Sequence, residues 1–202
     1  MRIERVESLD KRKCKVFTDE DFAFLLYNGE LEKYGVCEGA VLEERTEREL
    51  LDLLSRRAHE RALNLLKVQA RTEGEMGRRL FQDGYPDSIV QETIGFLQEY
   101  HFVDDARYAA NYLQVHGKRK SQAELKLYLQ RKGISREIIR EQLEETEHDS
   151  GEAIRVLLEK KHYRAGETAP EEKKKIIAYL MRRGFSWEDI RREMKEQEDA
   201  LS

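Results

Sequence analysis

The sequence predicts a mainly α protein: three tandem three-helix repeats forming an elongated curved array, preceded by a small N-terminal β segment. Three observations carry that prediction. Apolar residues recur every three or four positions from about Glu44 onward, which is the spacing of one face of a helix. Three glycines, Gly84, Gly133 and Gly184, stand about 50 residues apart, a period typical of repeat architectures. Only the first forty-odd residues show the Val- and Phe-rich short runs of strands.

In chain order, Lys13 to Tyr27 contains two such runs flanking Thr18-Asp19-Glu20-Asp21, a turn composition, and reads as a hairpin. Asn28-Gly29, Gly35 and Gly39 punctuate the next segment, with a short helix over Leu31 to Tyr34. Leu50, Leu54, Ala58, Ala62 and Leu65 then place one stripe on a long helix. Narrower stripes come after it at Val90, Ile94 and Leu97; at Ala106, Ala109, Ala110 and Leu113; at Leu125, Tyr128 and Leu129; and at Trp187, Ile190 and Met194. Helices this short are marginal alone in water, so each requires a neighbour to cover its stripe.

Alignment on the three glycines brings their surroundings into register. Leu80, Leu129 and Leu180 stand four residues before them, and Met76, Leu125 and Ile176 eight before. Tyr85, Ile134 and Phe185 come directly after, then Val90, Ile139 and Ile190, then Ile94, Leu143 and Met194. A glycine at the end of a helix supplies the left-handed residue that stops it, and the apolar residue after it packs back on the last turn. Ser135 and Ser186 are N-cap types for the next helix, where the first copy uses Pro86-Asp87. Thr72 with Glu75, Ser121 with Glu124 and Thr168 with Glu171 have the spacing of capping boxes opening each middle helix. The expected division is 1–43 for the β region and 44–100, 101–148 and 149–202 for the repeats. Leu125, Leu129, Ile139, Leu143, Leu180 and Trp187 are expected in the core.

Of 202 residues, 37 are basic and 41 acidic, leaving a formal charge of −4. Charged residues make up 39% of the chain, well above the roughly 25% of ordinary soluble proteins, and only two prolines are present. This excludes collagen-like and Pro-rich classes. No apolar run approaches the ~20 residues needed to cross a bilayer, and the charged start MRIERVESLD is unlike a signal peptide, so the chain reads as cytoplasmic. In that compartment Cys14 and Cys37 are expected to be reduced packing residues. No metal and no cofactor are expected: His59, His101, His116, His148 and His162 stand without a second ligand at metal spacing.

No catalytic constellation emerges either. Gly74-Glu75-Met76-Gly77 lacks the Lys-Ser/Thr ending of a phosphate loop, and neither a G-x-S-x-G nor an H-E-x-x-H motif occurs. Asp104-Asp105, the best carboxylate pair, reads as the cap of the helix running to His116.

Charge is patterned in blocks. Lys118 to Arg136 holds seven basic residues against Glu124, Glu137 to Glu152 holds seven acids against Arg140, and Arg155 to Arg183 holds nine bases against four acids. Such blocks commonly form solvated faces with weak local ion pairs. The basic blocks fall on corresponding helices of repeats two and three, however, so stacking is expected to align them as a stripe for an acidic or polyanionic partner. The candidate contacts are Lys118, Arg119, Lys120, Lys126, Arg131, Lys132, Lys173, Lys174, Arg182 and Arg183. A helix, a glycine turn and a second helix also describe DNA-reading helix-turn-helix units, and a generic helical-repeat adaptor would have the same pattern. The acids in SREIIREQLEETEHD and the poverty of bases in PDSIVQETIGFLQEY weaken groove insertion.

Particular residues resemble a family. Arg71-Thr72, Glu75-Met76, Leu80 and Gly84, then the stretch Phe102-Val103-Asp104-Asp105-Ala106-Arg107-Tyr108-Ala109, then Gly117, Ala123-Glu124-Leu125 and Lys132-Gly133-Ile134, then Arg183-Gly184-Phe185 and Ile190 resemble the RecX regulatory proteins. The similarity runs from about Ala62 to Met194, and the short β leader resembles that of some members. It implies a bacterial cytosolic protein that binds the RecA recombinase filament on single-stranded DNA. Lodged in the filament groove, such a protein lowers ATP hydrolysis and strand exchange and limits filament growth, in recombination, DNA repair and the SOS response. A monomer with weak direct DNA contact and no membrane contact is expected. Gly74 and Gly77 depart from a strong middle helix, each costing on the order of 1 kcal/mol of propensity.

Overall fold

Strict alternation builds the N-terminal sheet. In β2 (Lys13–Thr18) Cys14, Val16 and Thr18 are buried, and in β3 (Ala23–Tyr27) Phe24 and Leu26 face the same side. Val16 stands opposite Phe24 and Cys14 opposite Leu26, as the expected hairpin requires. A further strand, β1 (Ile3–Ser8), pairs antiparallel with β2, giving a three-stranded meander in the order β1-β2-β3. Periodicity does not show β1, because its two apolar residues, Ile3 and Val6, are an odd number of positions apart. A register shift between Ile3 and Arg5 brings both onto one core.

The computed structural model describes residues 1–19, 23–146 and 149–199; Glu20 and Asp21 of the expected turn, and Glu147 and His148, lie outside them. Contacts divide the chain into two units, Met1–Asp104 and Asp105–Ser202.

In the first unit, α1 (Asn28–Tyr34) opens at Asn28 and ends at the left-handed Gly35. The long α2 (Glu44–Val68) buries Leu50, Leu54 and Ala58 against the sheet, together with Ile3, Val16, Phe24 and Leu26. Its second half buries Ala62 against Met76 and Leu80 of α3 (Glu73–Gln82) and Val90 and Leu97 of α4 (Asp87–Glu99). Gly77 does not break α3. Its lack of a side chain leaves Val90 Cγ1 3.7 Å from where a Cβ would stand.

The second unit contains α5 (Asp105–His116), a 3-10 turn at Gly117–Arg119, α6 (Gln122–Lys132) and α7 (Arg136–Glu145), followed by α8 (Gly151–Lys160), α9 (Pro170–Arg182) and α10 (Trp187–Asp199). Leu125, Leu129, Ile139 and Leu143 share one core with Ala109 and Leu113, while Ile176, Leu180, Phe185, Ile190 and Met194 share another with α8. The repeat is thus a physical one. Gly84, Gly133 and Gly184 all have positive φ, and in each copy the amide of the next residue donates to the carbonyl five positions back: Tyr85 to Leu80, Ile134 to Leu129, Phe185 to Leu180. Ser135 and Ser186 accept from the amides of Ile138 and Asp189. Asp104 directly precedes α5, and Asp105 is buried in its first turn.

Three expectations are corrected. Trp187 is 49% exposed rather than core: the aligned positions in the other copies are Asp87 and Arg136, so it lies on the polar side of its helix. Thr168 caps no helix. It accepts from the Arg164 amide, and α9 starts later because Pro170 occupies its first turn, where a fixed φ and a missing N–H cost nothing. Cys14 is buried and donates to Asn28 Oδ1, but Cys37 is exposed rather than packed in the core; both are free thiols.

Candidate interaction surface of the second unit

A capping box fixes where the basic residues go. The Ser121 amide donates to Glu124 Oε2 and the Glu124 amide to Ser121 Oγ, both at 3.1 Å, so α6 starts with its first acid turned back over its own N-terminus. That carboxylate also accepts from Arg183: Nε and Nη2 each donate at 2.9 Å, a two-pronged pair. Ser121 Oγ donates in turn to the Arg183 carbonyl at 2.5 Å. Beside it, the backbone of Gly184 lies so close to α6 that a Cβ there would stand 2.5 Å from the Ala123 Cβ. The glycine turn after α9 is therefore docked on the first turn of α6. Burial alone would lower the Arg183 pKa, but hydrogen bonds to Tyr179 and Glu124 more than reverse this and hold it above its ordinary value.

The ten candidate cations divide by what they touch. Arg183 is committed to Glu124, and Lys174 pairs with Glu171 at 2.9 Å within its own helix. Lys118 reaches Glu152 at 3.5 Å, with both side chains exposed. Lys120 Nζ donates to the Tyr112 hydroxyl and lies over the rings of Tyr112 and Tyr128, while Lys132 approaches Tyr128 from the other end of α6 and Lys173 lies over Tyr163. Arg119, Lys126, Arg131 and Arg182 are exposed. Docking of the turn on α6 brings the last residues of α9 to the start of α6; Lys173, Lys174, Arg131 and Lys132 lie at the far ends of their helices.

An aromatic cluster is not evident from the sequence. Tyr112 and Tyr128 stack in parallel with centroids 4.0 Å apart, and His116 tilts against Tyr112 at 4.4 Å. No run of bases interleaved with aromatics along one segment marks it, because the rings come from two helices and meet only in three dimensions. Burial, then Lys120 and Arg119, keep His116 below its ordinary pKa. Among the described residues no three His, Cys, Asp or Glu side chains are grouped to hold a metal ion, and no helix is long and apolar enough to cross a membrane.

The helical modules match known families. Residues 58–97 match the family model described as RecX, first three-helix domain; residues 104–143 match the second three-helix domain, and 149–194 the third. This chain belongs to the RecX family. Its relatives include the protein named Regulatory protein RecX of Clostridium acetobutylicum, 28% identical over 96% of this chain and 95% of that one. The Regulatory protein RecX of Chlorobaculum tepidum is 31% identical over 68% of this chain and 86% of its own length. Among solved structures, one described as regulatory protein RecX superposes with a TM-score of 0.65 over 96% of this chain and 98% of its own, at 22% identity. RecX from Lactobacillus salivarius gives 0.62 over 73% and 97%, at 21% identity. The structural likenesses support the fold, and the sequence relatives place the chain among regulatory proteins.

Proposed function

We propose that this RecX-family chain is a cytoplasmic, non-enzymatic regulator of recombination and DNA repair, binding the RecA filament on single-stranded DNA and slowing its ATP turnover, strand exchange and growth. The observation that carries the reading is the presence of all three RecX three-helix domains in one chain whose relatives are named regulatory proteins. The exposed cations of the second unit, foremost Lys126, Arg131 and Arg182, contact the partner, and weak contacts spread over neighbouring filament subunits add through effective concentration. Lys118, Arg119, Lys120, Lys132, Lys173 and Lys174 widen this basic surface, and Arg183 holds its two halves together.

Purified monomeric protein titrated into RecA on single-stranded DNA, with ATP turnover as readout, tests the reading. Turnover is expected to fall with added protein. Lys126→Glu and Arg182→Glu should each weaken the effect several-fold with unchanged Tm, since both side chains are exposed and contribute to encounter rather than folding. Unchanged turnover at saturating protein refutes the filament reading. Tight binding to naked duplex that collapses with salt would favour a DNA-reading helix-turn-helix array instead.

A further inference from the structure

The 3-10 turn that carries the chain from α5 into α6 packs against α8, and an open cleft lies between them. Its floor is aliphatic. Val115, on the last turn of α5, is 68% exposed, Val156 is half-buried and Leu157 is buried, and all three line the cleft. Its rim is cationic. Arg119 and Lys160 line it with no ion-pair partner among the described residues, and Lys118 is held only by the long, solvent-exposed pair with Glu152. Arg183, already neutralised by Glu124, lines it as well.

We propose that this cleft docks an acidic linear peptide segment carrying an apolar anchor residue. The anchor covers Val115 and Val156, removing from water an aliphatic surface that the second unit itself leaves uncovered. Carboxylates on either side of the anchor pair with Arg119 and Lys160, and one takes Lys118 in exchange for Glu152, whose exposed pair is worth little in water. Nucleic acid fits less well. An aliphatic floor offers no ring on which a base can stack, since Tyr112 is buried and already covered by Tyr128. The cleft shares Lys118 and Arg119 with the basic surface proposed to meet the filament but does not include Lys126, Arg131 or Arg182, so a variant at Lys126 separates the two readings.

The probe is a fluorescein-labelled peptide with a Leu-Phe pair set among glutamates, titrated with the full chain and followed by anisotropy. Arg119→Glu and Lys160→Glu should each weaken binding about tenfold by reversing a rim charge, and Val115→Ser about fivefold by removing aliphatic surface from the floor. Glu152→Gln should tighten binding by about threefold, because it frees Lys118 and removes the one acid at the rim. Lys126→Glu, outside the cleft, should leave the affinity unchanged. All four altered cleft side chains are exposed or half-buried, so unchanged Tm is the check that each variant is folded. Equal binding of a peptide with Gly-Ser in place of Leu-Phe would overturn the proposal, as would insensitivity to Val115→Ser, absence of peptide binding, or preferential binding of an oligothymidylate that the same rim variants abolish. Self-association that Val115→Ser abolishes, without peptide binding, would assign the cleft to a second copy and likewise overturn it.

Discussion

Replacement of Gly184 by Ala tests the joint between α9 and α6. Its φ of +85° disfavours any side chain, a cost of about 1 to 2 kcal/mol. The added Cβ would also stand 2.5 Å from the Ala123 Cβ and 3.2 Å from Ser121 Oγ. Because the Ala123 Cβ is fixed to the backbone, no rotamer change relieves the overlap, and forced overpacking adds roughly 1 to 3 kcal/mol. The expected loss is therefore about 2 to 5 kcal/mol. Gly166, also in the second unit, supplies the control: its φ is +75° and nothing lies within 4 Å of its Cβ position, so Gly166→Ala should show the backbone cost alone. Urea unfolding followed by circular dichroism, with hydrogen exchange at the α6 amides to localise the effect, gives both numbers. Combining Gly184→Ala with Ala123→Gly should recover the steric part, appearing as a coupling of at least about 1 kcal/mol. Equal losses at Gly184 and Gly166 with no coupling would refute the docked turn.

Other outcomes rest on single features. His162, like His101, adopts a φ of +56° where the turns after the middle helices use glycine, so His162→Gly should stabilise by about 0.5 to 1 kcal/mol in the same unfolding assay. Trp187, the sole tryptophan, should fluoresce as a solvated indole quenched readily by acrylamide, and Trp187→Ser should change stability by less than about 0.5 kcal/mol. His116 should titrate below 6.5 by NMR, moving upward in Lys120→Gln. Because folding favours its neutral form, its contribution to stability is present above pH 6.5 and is lost as pH falls from there through the depressed folded value.

The helical half of the fold was legible because periodicity and punctuation agree: the same five positions around each glycine are apolar, and the structure buries or half-buries every one. β1 was hidden because a register shift breaks its alternation, and the start of α9 because Pro170 outranks the Thr168-Glu171 spacing. Trp187 shows hydrophobicity misleading where the repeat, with Asp87 and Arg136 at the aligned positions, pointed outward. For the surface, sequence identified the basic blocks. It could not separate Arg183, bound to Glu124, from Arg182, its exposed neighbour, since that depends on a side chain from another helix. Val115 gave no signal and Lys160 stood out only as one of nine bases in its block, because their pairing at one cleft exists only once folding sets them side by side.

The glycine turns do more than end helices. Gly84 presents its bare backbone to Leu25 of the sheet, and Gly184 does the same to Ala123 of the preceding helical module. Each of these two copies thus carries a flat plug built from the signal that terminates its middle helix, and any neighbour with a small or pliable residue can serve as the socket. Duplication of such a segment copies the fastener along with the part, so tandem growth of the chain needs no newly invented interface.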